Sequence, residues 1–487
     1  MNAAPLRGDG DFVLYWMTAF RRVRSNFSLQ RAIEHCRQLN KPLVILEALR
    51  TRYPWASDRL HRFVIEGMAA NEQAVAAVAN PGVLYYPYVE PAHGEGSGLL
   101  AELAKRACVV VTDDFPCFFL PTLIKVAGRQ LPVQLEAVDS NGIVPLRGTD
   151  HAFTMAFHFR RWLQKNLATW LEKTEFPAAE PLKGLSLPPV KPLPTGITRR
   201  WKPANFPQLL AKDGLKKLPI DHLVQPGVAH GGTEAASKTL KTFLKQRLAR
   251  YADERNQPDQ EAASGVSPYL HFGHLSVHEI FTAAAKGEDW SLDCLAKKAT
   301  GKNEGWWGVT KPLESFLDEL ITWREIGFNF CAHHPDEYDR YESLPEWCRK
   351  TLEKHAKDPR EHRYDLDQFE AAKTHDPLWN AAQRQLVREG CMHNYLRMLW
   401  GKKVLEWSIS PQEALQTLIH LNNKYAVDGR NPNSYSGIFW CLGRYDRPWA
   451  PERPIFGMIR YMSSDNTARK IRVKNYLRQY GPNESLF

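Results

Sequence analysis

The residues best suited to chemistry lie between Asn422 and Met462, where a tight turn is followed by aromatic and basic side chains. The turn reads Asp-Gly-Arg-Asn-Pro-Asn over residues 428–433, and residues of these types favour loops that hold a ligand against the backbone. Trp440, Trp449 and several arginines follow. Indole rings and guanidinium groups together suit a flat, anionic or base-like ligand. This stretch therefore predicts a binding site for such a molecule.

A second candidate site lies in Tyr251–Gly273, where small and hydroxyl-bearing residues precede a proline. Ser264, Gly265 and Ser267 come just before Pro268, a residue that suits the first turn of a helix. Hydroxyl groups and free amides at the start of a helix can bind an anion such as the phosphate of a cofactor. An ordinary helix cap accounts for the same residues, so the spacing alone leaves both interpretations open.

A carboxylate and an indole share one face of a third segment. Glu319 and Trp323 are four residues apart in a helical pattern, a spacing that puts two side chains on the same side of a helix. Together they could hydrogen-bond and stack a nucleobase. The alternative is a helix with a buried tryptophan and a solvated glutamate.

A fourth segment combines polar residues with a series of tryptophans. Asn394 and Arg397 are three residues apart and can face one ligand. Trp400 and Trp407 lie two helical turns apart, and Trp379 lies near the start of the same region. Tryptophans in series could relay electrons to a buried redox cofactor. Plain aromatic packing is the alternative.

The turn after Asn422 adds a possible charged pair. Asp428 and Arg430 are both charged, and a buried aspartate needs a partner. Arg397 is the candidate partner. An arginine–aspartate pair beside a flavin ring would tune the charge and protonation of the ring, whereas a structural salt bridge is the simpler alternative.

The elements that must position these residues fall into two kinds. The predicted strands are Phe12–Met17, Pro42–Ala48, Val83–Val89, Cys108–Thr112 and Pro132–Val138, and helical patterns between them include Ser28–Leu39 and Asp58–Val78. This alternation is typical of a doubly wound, parallel, Rossmann-like α/β domain, whose strand ends could hold a ligand at the topological switch point. No Gly-x-Gly-x-x-Gly follows the first strand, so the dinucleotide fingerprint is absent.

The remainder of the chain is predicted to be helical. Phe176–Pro203 is rich in proline and predicts an extended connector on the surface. Helical patterns follow at Thr233–Arg250, Leu313–Phe330, Leu378–Trp407 and Pro411–Leu421, without strand-like alternation. We therefore predict an α/β domain over residues 1–170, a connector over 171–215 and an all-α domain over 216–487.

Charge and cysteine usage narrow the class of protein. The formal net charge is +10, and Gly443–Phe487 carries nine Lys/Arg against four Asp/Glu, a surplus that favours polyanions. The eight cysteines show neither CxxC nor zinc spacing, which argues against a metal site or an iron–sulfur cluster and fits a reducing cytosol. No apolar leader is visible, and no run reaches the roughly 18 apolar residues of a membrane span.

The order of four motifs is more specific than any of them alone. ASGVSPYLHFG, ELITWRE, MHNYLRM and DGRNPNSYSG occur in that order and resemble the photolyase/cryptochrome family of flavoproteins. The longer form DGRNPNSYSGIFW, the following RPWAPERPIFGMIRYM and the earlier LWNAAQ are similar to class II cyclobutane pyrimidine dimer photolyases. The resemblance covers essentially the whole chain.

The resemblance implies a flavin site and an electron relay. The FAD phosphate and adenosine contacts would fall on Tyr251, Ser264, Gly265, Val266, Ser267 and Leu270. The isoalloxazine would lie beside Arg397 and Asp428, with Gly429 and Arg430 in the same turn, and Asn422 would approach the flavin N5. In the relay, Trp400 would be nearest the flavin, Trp379 nearer the surface, and Trp407 a side branch.

The same resemblance implies a DNA site. Glu319 would contact the lesion, Trp323 and Trp440 would form the aromatic walls of its pocket, Asn394 would contact the DNA, and Arg460 lies in a segment that intrudes into the duplex. The implied enzyme is a deoxyribodipyrimidine photolyase, a carbon–carbon lyase. Its reduced FAD (FADH⁻) absorbs light and gives one electron to the flipped dimer, which opens before the electron returns.

The expected partner is double-stranded DNA that contains pyrimidine dimers. We expect a cytoplasmic monomer, in the cytosol or nucleoid of a prokaryote, that needs no protein partner and no membrane.

The segment Thr18–Val23 departs from the family's usual Arg-Asp-Gln-like sequence, which leaves the presence of an antenna chromophore open. Alternative functions are a cryptochrome-like photoreceptor without repair activity, a (6-4) photolyase, for which His393 and His420 are candidate histidines, and a nucleotide-binding protein that acts without light.

Overall fold

The computed structural model describes residues 1–482, which form two compact units that alternate along the chain. The first unit comprises Met1–Leu146, Thr174–Leu240 and Val266–Ala283. The second comprises Arg147–Lys173, Lys241–Gly265 and the chain from Ala284 onward. The last five residues of the basic segment Gly443–Phe487 lie outside the described residues.

The first unit contains a five-stranded parallel sheet. Its strands are β1 Phe12–Met17, β2 Leu43–Leu49, β3 Val83–Val89, β4 Ala107–Asp113 and β5 Leu135–Val138, in the spatial order β3-β2-β1-β4-β5. All six residues of β1 are buried, as expected for a central parallel strand covered on both faces. This topology confirms the predicted doubly wound α/β fold.

The α-helices of residues 1–482 are, in chain order, α1 Phe27–Leu39, α2 Asp58–Val78, α3 Leu99–Ala104, α4 Leu120–Gln130, α5 Ala156–Lys173, α6 Thr195–Arg200, α7 Phe206–Leu210, α8 Thr233–Thr242, α9 Tyr251–Glu254, α10 Ser267–His271, α11 Val277–Lys286, α12 Lys311–Leu317, α13 Arg324–His333, α14 Glu346–Lys354, α15 Leu366–Glu370, α16 Pro377–Glu389, α17 Asn394–Trp407, α18 Pro411–Tyr425, α19 Pro432–Cys441, α20 Ser464–Lys470 and α21 Lys474–Tyr480. Two π-helical segments, Phe243–Arg247 and Asp318–Trp323, and three short 3₁₀ turns, Leu248–Arg250, Leu292–Cys294 and Tyr341–Ser343, connect them. The predicted helical remainder is confirmed, because no named strand follows β5 within the described chain.

The proline-rich stretch is part of the first unit rather than a surface connector. Leu182 and Leu185 are buried in the apolar layer on one face of the sheet, and Trp201 is buried in the layer on the other. The expectation of a connector draped over the surface is therefore wrong for these side chains, because their apolar area is removed from water. The compact units divide this part of the chain at Arg147–Lys173 and Thr174–Leu240, and the domain boundaries at residues 170 and 215 stay predictions.

Two buried carboxylates organise the carboxyl ends of the strands. Asp113 accepts hydrogen bonds from the amides of Thr18, Ala19 and Phe20 at 2.7–2.9 Å. Glu47, at 0% exposure, pairs with Arg21 at 2.9 Å. Burying an ionised carboxylate is costly unless it is paired and hydrogen-bonded, so these contacts hold the segment after β1 against the sheet.

The long helical pattern predicted over Leu378–Trp407 is two helices. Asp376 caps the start of α16 by accepting from the amides of Leu378 and Trp379. The helix ends at Gly390, whose φ of 77° is left-handed and suits glycine. The break gives α17 its own direction, and α17 carries four of the predicted site residues. In residues 1–482 no helix combines the length and apolarity needed to cross a bilayer.

Candidate functional site

A π-helical segment presents the predicted lesion-contacting pair. Residues 318–323 form wide turns between α12 and α13, and π-helical turns within helices are frequent at functional sites. Glu319 and Trp323 lie at its two ends, and both are half-buried. In an α-helix a four-residue spacing would put the two side chains on one face, and the wider π-helical turn changes that arrangement. The sequence spacing alone does not show this difference.

An ion pair that the sequence reasoning missed braces this segment. Arg160, on α5, donates to both carboxylate oxygens of Asp318, at 2.7 and 2.8 Å. Each side chain is 11% exposed. The bidentate geometry is the strong form of such pairs, and it anchors the residue directly before Glu319.

Glu319 is paired with a second arginine in the same unit. Arg255 donates to the Glu319 carboxylate, and its guanidinium carbon lies 5.6 Å from the ring centroid of Tyr251. Burial raises the pKa of the Glu319 carboxyl above its usual value, and Arg255 opposes that rise. Burial and the Arg255 charge therefore act on the protonation of this carboxyl in opposite directions. Tyr251, predicted to bind the cofactor, is buried at 7% exposure.

Helix α17 joins the polar and aromatic parts of the site. Arg397 contacts Asp428 at 3.4 Å, so the pair predicted from the sequence is formed. The two side chains remain 26% and 16% exposed. Asn394, one turn earlier on the same helix, is exposed and can be reached by a large ligand.

The turn at residues 428–433 is held by its own arginine. Arg430 is 2% exposed with a φ of 61°, and its guanidinium donates to the carbonyl oxygens of Asn423, Ala426 and Val427. Its role in these contacts is to brace the loop, while a direct cofactor contact stays a prediction. Gly429 is required sterically, because an added Cβ would lie 2.6 Å from the carbonyl oxygen of Asn422.

Asn422 lies next to this turn and is buried at 4% exposure. Its amide nitrogen donates to the hydroxyl of Ser434 at 2.5 Å and to the side chain of Asn423 at 3.2 Å. The turn, the end of α18 and the start of α19 therefore form one hydrogen-bonded group. The predicted approach of Asn422 to a flavin stays a prediction.

The three predicted relay tryptophans form one cluster. The rings of Trp379 and Trp400 are stacked at 6.3 Å with an interplanar angle of 6°, and Trp407 lies 5.9 Å from Trp379 in an edge-on arrangement. Trp379 is 0% exposed and Trp400 is 2% exposed. Trp379 also packs against Phe369 at 5.3 Å, and the expected order of the relay, with Trp400 nearest the flavin and Trp379 nearer the surface, stays a prediction. Trp407 continues the cluster toward the half-buried Tyr364, at 5.5 Å.

A second aromatic group surrounds Trp440 at the end of α19. Arg460 pairs with Asp446 at 2.7 and 3.1 Å, and its guanidinium carbon lies 4.1 Å from the ring centroid of Trp449 and 5.7 Å from that of Trp440. The side chain of Lys402 also lies against Trp440. Arg460 is thus preorganised by its neighbours rather than free in solvent.

The predicted phosphate-binding segment begins a short helix. Ser267 starts α10, with Pro268 in its first turn as predicted, and Gly265 has a left-handed φ of 72°. Gly265 ends a stretch of the second unit, and Val266 begins a stretch of the first, which also contains Leu270. Ser264 is half-buried. Their predicted contacts with a cofactor stay predictions.

Comparison with known proteins identifies the family. No model of a protein family matches the chain. It is 33% identical over 475 residues to a deoxyribodipyrimidine photo-lyase of Methanothermobacter thermautotrophicus, covering 96% of this chain and 94% of that protein. Proteins of the same name from Oryza sativa subsp. japonica and Potorous tridactylus are 34% and 32% identical, over 96% and 98% of this chain and 87% and 82% of theirs. The chain belongs to the deoxyribodipyrimidine photolyase family.

Solved structures of the photolyase/cryptochrome group agree in fold. A bacterial class III photolyase from Agrobacterium tumefaciens matches with a TM-score of 0.67 at 18% identity, over 99% of this chain and 87% of that one. A cryptochrome from Synechocystis matches with a TM-score of 0.63 at 16% identity, over 99% and 89%. These comparisons confirm the photolyase/cryptochrome family that the four motifs predict, and they confirm the resemblance to a photolyase within it.

The residues of this photolyase-family chain fit a flavin. A guanidinium and a carboxylate 3.4 Å apart, both still partly accessible, offer a donor and an acceptor to the polar edge of an isoalloxazine ring. The buried amide of Asn422 adds a group that can donate or accept. The donor set therefore matches the cofactor that the motifs predict.

Three site residues escaped the sequence reasoning. They are Arg160, Arg255 and Lys402. Lys402 gave no distinct signal, because Lys403 and Glu406 are also charged residues between Trp400 and Trp407. Arg255 follows Tyr251 by one helical turn. Arg160 gave none, because its partner lies 158 residues away in the chain.

Proposed function

We propose that this protein repairs cyclobutane pyrimidine dimers in DNA, using light absorbed by a bound, reduced FAD, as an enzyme of class II. The observation that carries the proposal is the composition of α17. One helix bears Asn394 for DNA, Arg397 with its partner Asp428, and Trp400, which is stacked on Trp379. A DNA contact, a flavin contact and a relay on one helix are what a light-driven repair enzyme needs.

The residues proposed to hold the cofactor act by charge and shape. Arg397 and Asp428 would orient the flavin edge, and the turn around Gly429 and Arg430 supplies a rigid wall, since its backbone is fixed by the hydrogen bonds of Arg430. FAD, when bound and reduced, supplies the electron after it absorbs light. The protein's contribution is position and electrostatics.

The residues proposed to hold the substrate recognise a dimer of two adjacent pyrimidines that has left the stack. Trp323 and Trp440 offer indole faces to the dimer, and aromatic stacking suits any pyrimidine. Glu319 would hydrogen-bond a carbonyl or imide group of the dimer after exchanging its contact with Arg255. A damaged step costs less to flip than an intact one, which favours the lesion over ordinary sequence.

The net charge of +10 supports sequence-independent binding to the DNA backbone. Contacts between basic side chains and phosphates give affinity that weakens as salt rises. The assignment to class II rests on the motifs DGRNPNSYSGIFW and RPWAPERPIFGMIRYM, which include Trp440 and Arg460.

Light-dependent repair tests the proposal. Purified protein with reduced FAD is mixed with an oligonucleotide that carries one thymine dimer, and recovery of absorbance at the thymine band is followed in blue light and in darkness. Recovery in light alone supports the proposal. A yellow, photoreducible protein without recovery contradicts it and favours a photoreceptor, and a parallel oligonucleotide with a (6-4) photoproduct tests the choice of lesion.

A further inference from the structure

A buried lysine lies directly behind the Trp440 ring. Lys402 on α17 is 0% exposed, and its ammonium nitrogen lies 4.6 Å from the centroid of Trp440. The same nitrogen donates to the carbonyl oxygens of Cys441 at 2.7 Å and Trp440 at 3.3 Å. Lys402 therefore contacts both the Trp440 ring and the end of α19, the helix that carries Trp440.

The charge of Lys402 needs an explanation beyond packing. Burying an ammonium group is expensive unless a carboxylate pairs with it, and among residues 1–482 none lies within ion-pair distance of Lys402. The end of α19 is also capped by its own backbone, through the amide of Leu442. A methionine of similar shape would fill the space at lower cost, so the cation itself points to a role at Trp440.

The Trp440 ring is flanked by a second cation. The guanidinium of Arg460 lies 5.7 Å from its centroid and is fixed by Asp446. A cation near an indole is attracted by the ring, and more strongly when the contact is desolvated. The two cations therefore restrict the rotation of a side chain that is still half-buried and accessible.

We propose that Lys402 is a positioning residue of the lesion pocket, whose ammonium holds the Trp440 indole in the orientation that recognises a flipped pyrimidine dimer. The inference rests on the proposed function, because it takes Trp440 as a wall of that pocket. Lys402 itself does not touch the substrate; it acts through Trp440 and the last turn of α19.

The first test measures discrimination between damaged and undamaged DNA. Affinities for an oligonucleotide with one thymine dimer and for the same oligonucleotide without it are compared in wild type and Lys402→Met. We expect the variant to lose roughly tenfold in affinity for the dimer and to bind undamaged DNA as before, because phosphate contacts do not involve this lysine.

Lys403→Met is the matched control. Lys403 is the next residue on the same helix, but its ammonium pairs with Glu406 at 2.6 Å and lies 5.4 Å from the centroid of Trp407. Removing this charge should leave discrimination for the dimer unchanged. A loss of the same size in both variants would mean that any charge on α17 matters, which contradicts a specific role for Lys402.

The pH dependence of discrimination distinguishes a positioning role of Lys402 from simple packing. It is measured on the wild-type protein, so it does not depend on the folding of a variant. Burial lowers the pKa of the Lys402 ammonium to about 8, so wild type should lose discrimination between pH 7 and pH 9. The titratable groups that face it lie outside this pH range: burial raises the pKa of the Cys441 thiol to about 11 and of the Cys348 thiol to about 12. Hydrogen bonds from Arg460, paired at 2.7 Å, hold the pKa of the Asp446 carboxyl below its usual value despite its burial.

The outcomes separate the two proposals. Wild type that binds damaged and undamaged DNA equally well overturns the proposed function and this inference with it. Wild type that discriminates, with a flat pH profile and an unchanged Lys402→Met variant, overturns the inference alone. We expect discrimination to fall with rising pH in wild type, and to be reduced and independent of pH in Lys402→Met.

Discussion

Replacement of Glu319 by alanine should separate repair from folding. The carboxylate is paired with Arg255, and the two side chains are 28% and 27% exposed. A partly exposed ion pair of this kind contributes about 1 kcal/mol or less. Glu319→Ala should therefore fold, keep its cofactor and have a free energy of unfolding within about 1 kcal/mol of that of wild type.

The effect on repair should be much larger than the effect on stability. A hydrogen bond that involves a charged partner contributes about 1.5–3 kcal/mol, which corresponds to roughly a tenfold to hundredfold change in an equilibrium or rate. If Glu319 stabilises the dimer while it carries the extra electron, losing that bond slows ring opening relative to electron return. The yield per absorbed photon should then fall clearly below that of wild type.

The assay is the number of dimers repaired per photon absorbed, measured with saturating substrate and chemically reduced cofactor. Glu319→Gln is the matched control, because its amide keeps the shape and can still donate a hydrogen bond. It should retain more of the yield than alanine does. Denaturant unfolding and the flavin absorbance of both variants are measured in parallel.

An unchanged yield in Glu319→Ala would refute the role of the carboxylate at the lesion. Loss of the flavin or of the folded state in that variant would instead show that the pair with Arg255 is a structural element. Equal losses in the alanine and glutamine variants would show that the negative charge, and not the hydrogen bond, is what the site requires.

Three further predictions test other parts of the structure. Trp379→Phe should slow photoreduction of the oxidised cofactor, which is measured as the bleaching of flavin absorbance in blue light, while repair by chemically reduced enzyme persists. An unchanged rate of photoreduction would exclude the stacked pair as the relay. Arg160→Met leaves the mostly buried Asp318 unpaired and should lower the free energy of unfolding by about 3 kcal/mol, measured by urea denaturation, with partial recovery when Asp318→Leu is added; equal stability would contradict the brace. Acidification should destabilise the first unit, because burial lowers the pKa of His61 to about 4 and of His274 to about 3, whereas the unfolded chain protonates these residues below about pH 6.5. The free energy of unfolding that the two neutral histidines contribute is fully present above that pH. It falls toward pH 4 by about 1.4 kcal/mol per pH unit for each histidine. His61→Asn should therefore reduce the slope of the urea midpoint plotted against pH.

The strands and most helices could be predicted from the sequence because their signal is local. β1 and β3 occupy the predicted residues, and α2 has the predicted bounds. Each is a run whose apolar pattern matches one periodicity. The predicted Leu378–Trp407 helix needed a correction, since a capping aspartate and the left-handed Gly390 divide it.

The pairings that build the site were less accessible to sequence reasoning. Arg397 was proposed as the partner of Asp428 because a buried aspartate needs one, and the structure brings the two side chains together. Arg160 and Arg255 lie 158 and 64 residues from their carboxylate partners, and no local pattern encodes such contacts. The stacking of Trp379 on Trp400 also depends on the packing of two helices, which no local pattern encodes.

The proline-rich stretch shows a limit of composition as a guide. Proline is disfavoured in the interior of helices and of central strands, and an extended path was expected. Leu182, Leu185 and Trp201 are nonetheless buried against the sheet. Proline content described the backbone, whereas the apolar side chains determined where the segment packs.

The most direct test of the central claim is an action spectrum. The rate of dimer repair per incident photon is measured from the near-ultraviolet to the blue and compared with the absorbance of the bound, reduced flavin in the same sample. The account predicts that the two curves coincide and that repair in darkness is absent. Repair that proceeds in darkness, or a spectrum that does not follow the flavin, would contradict it.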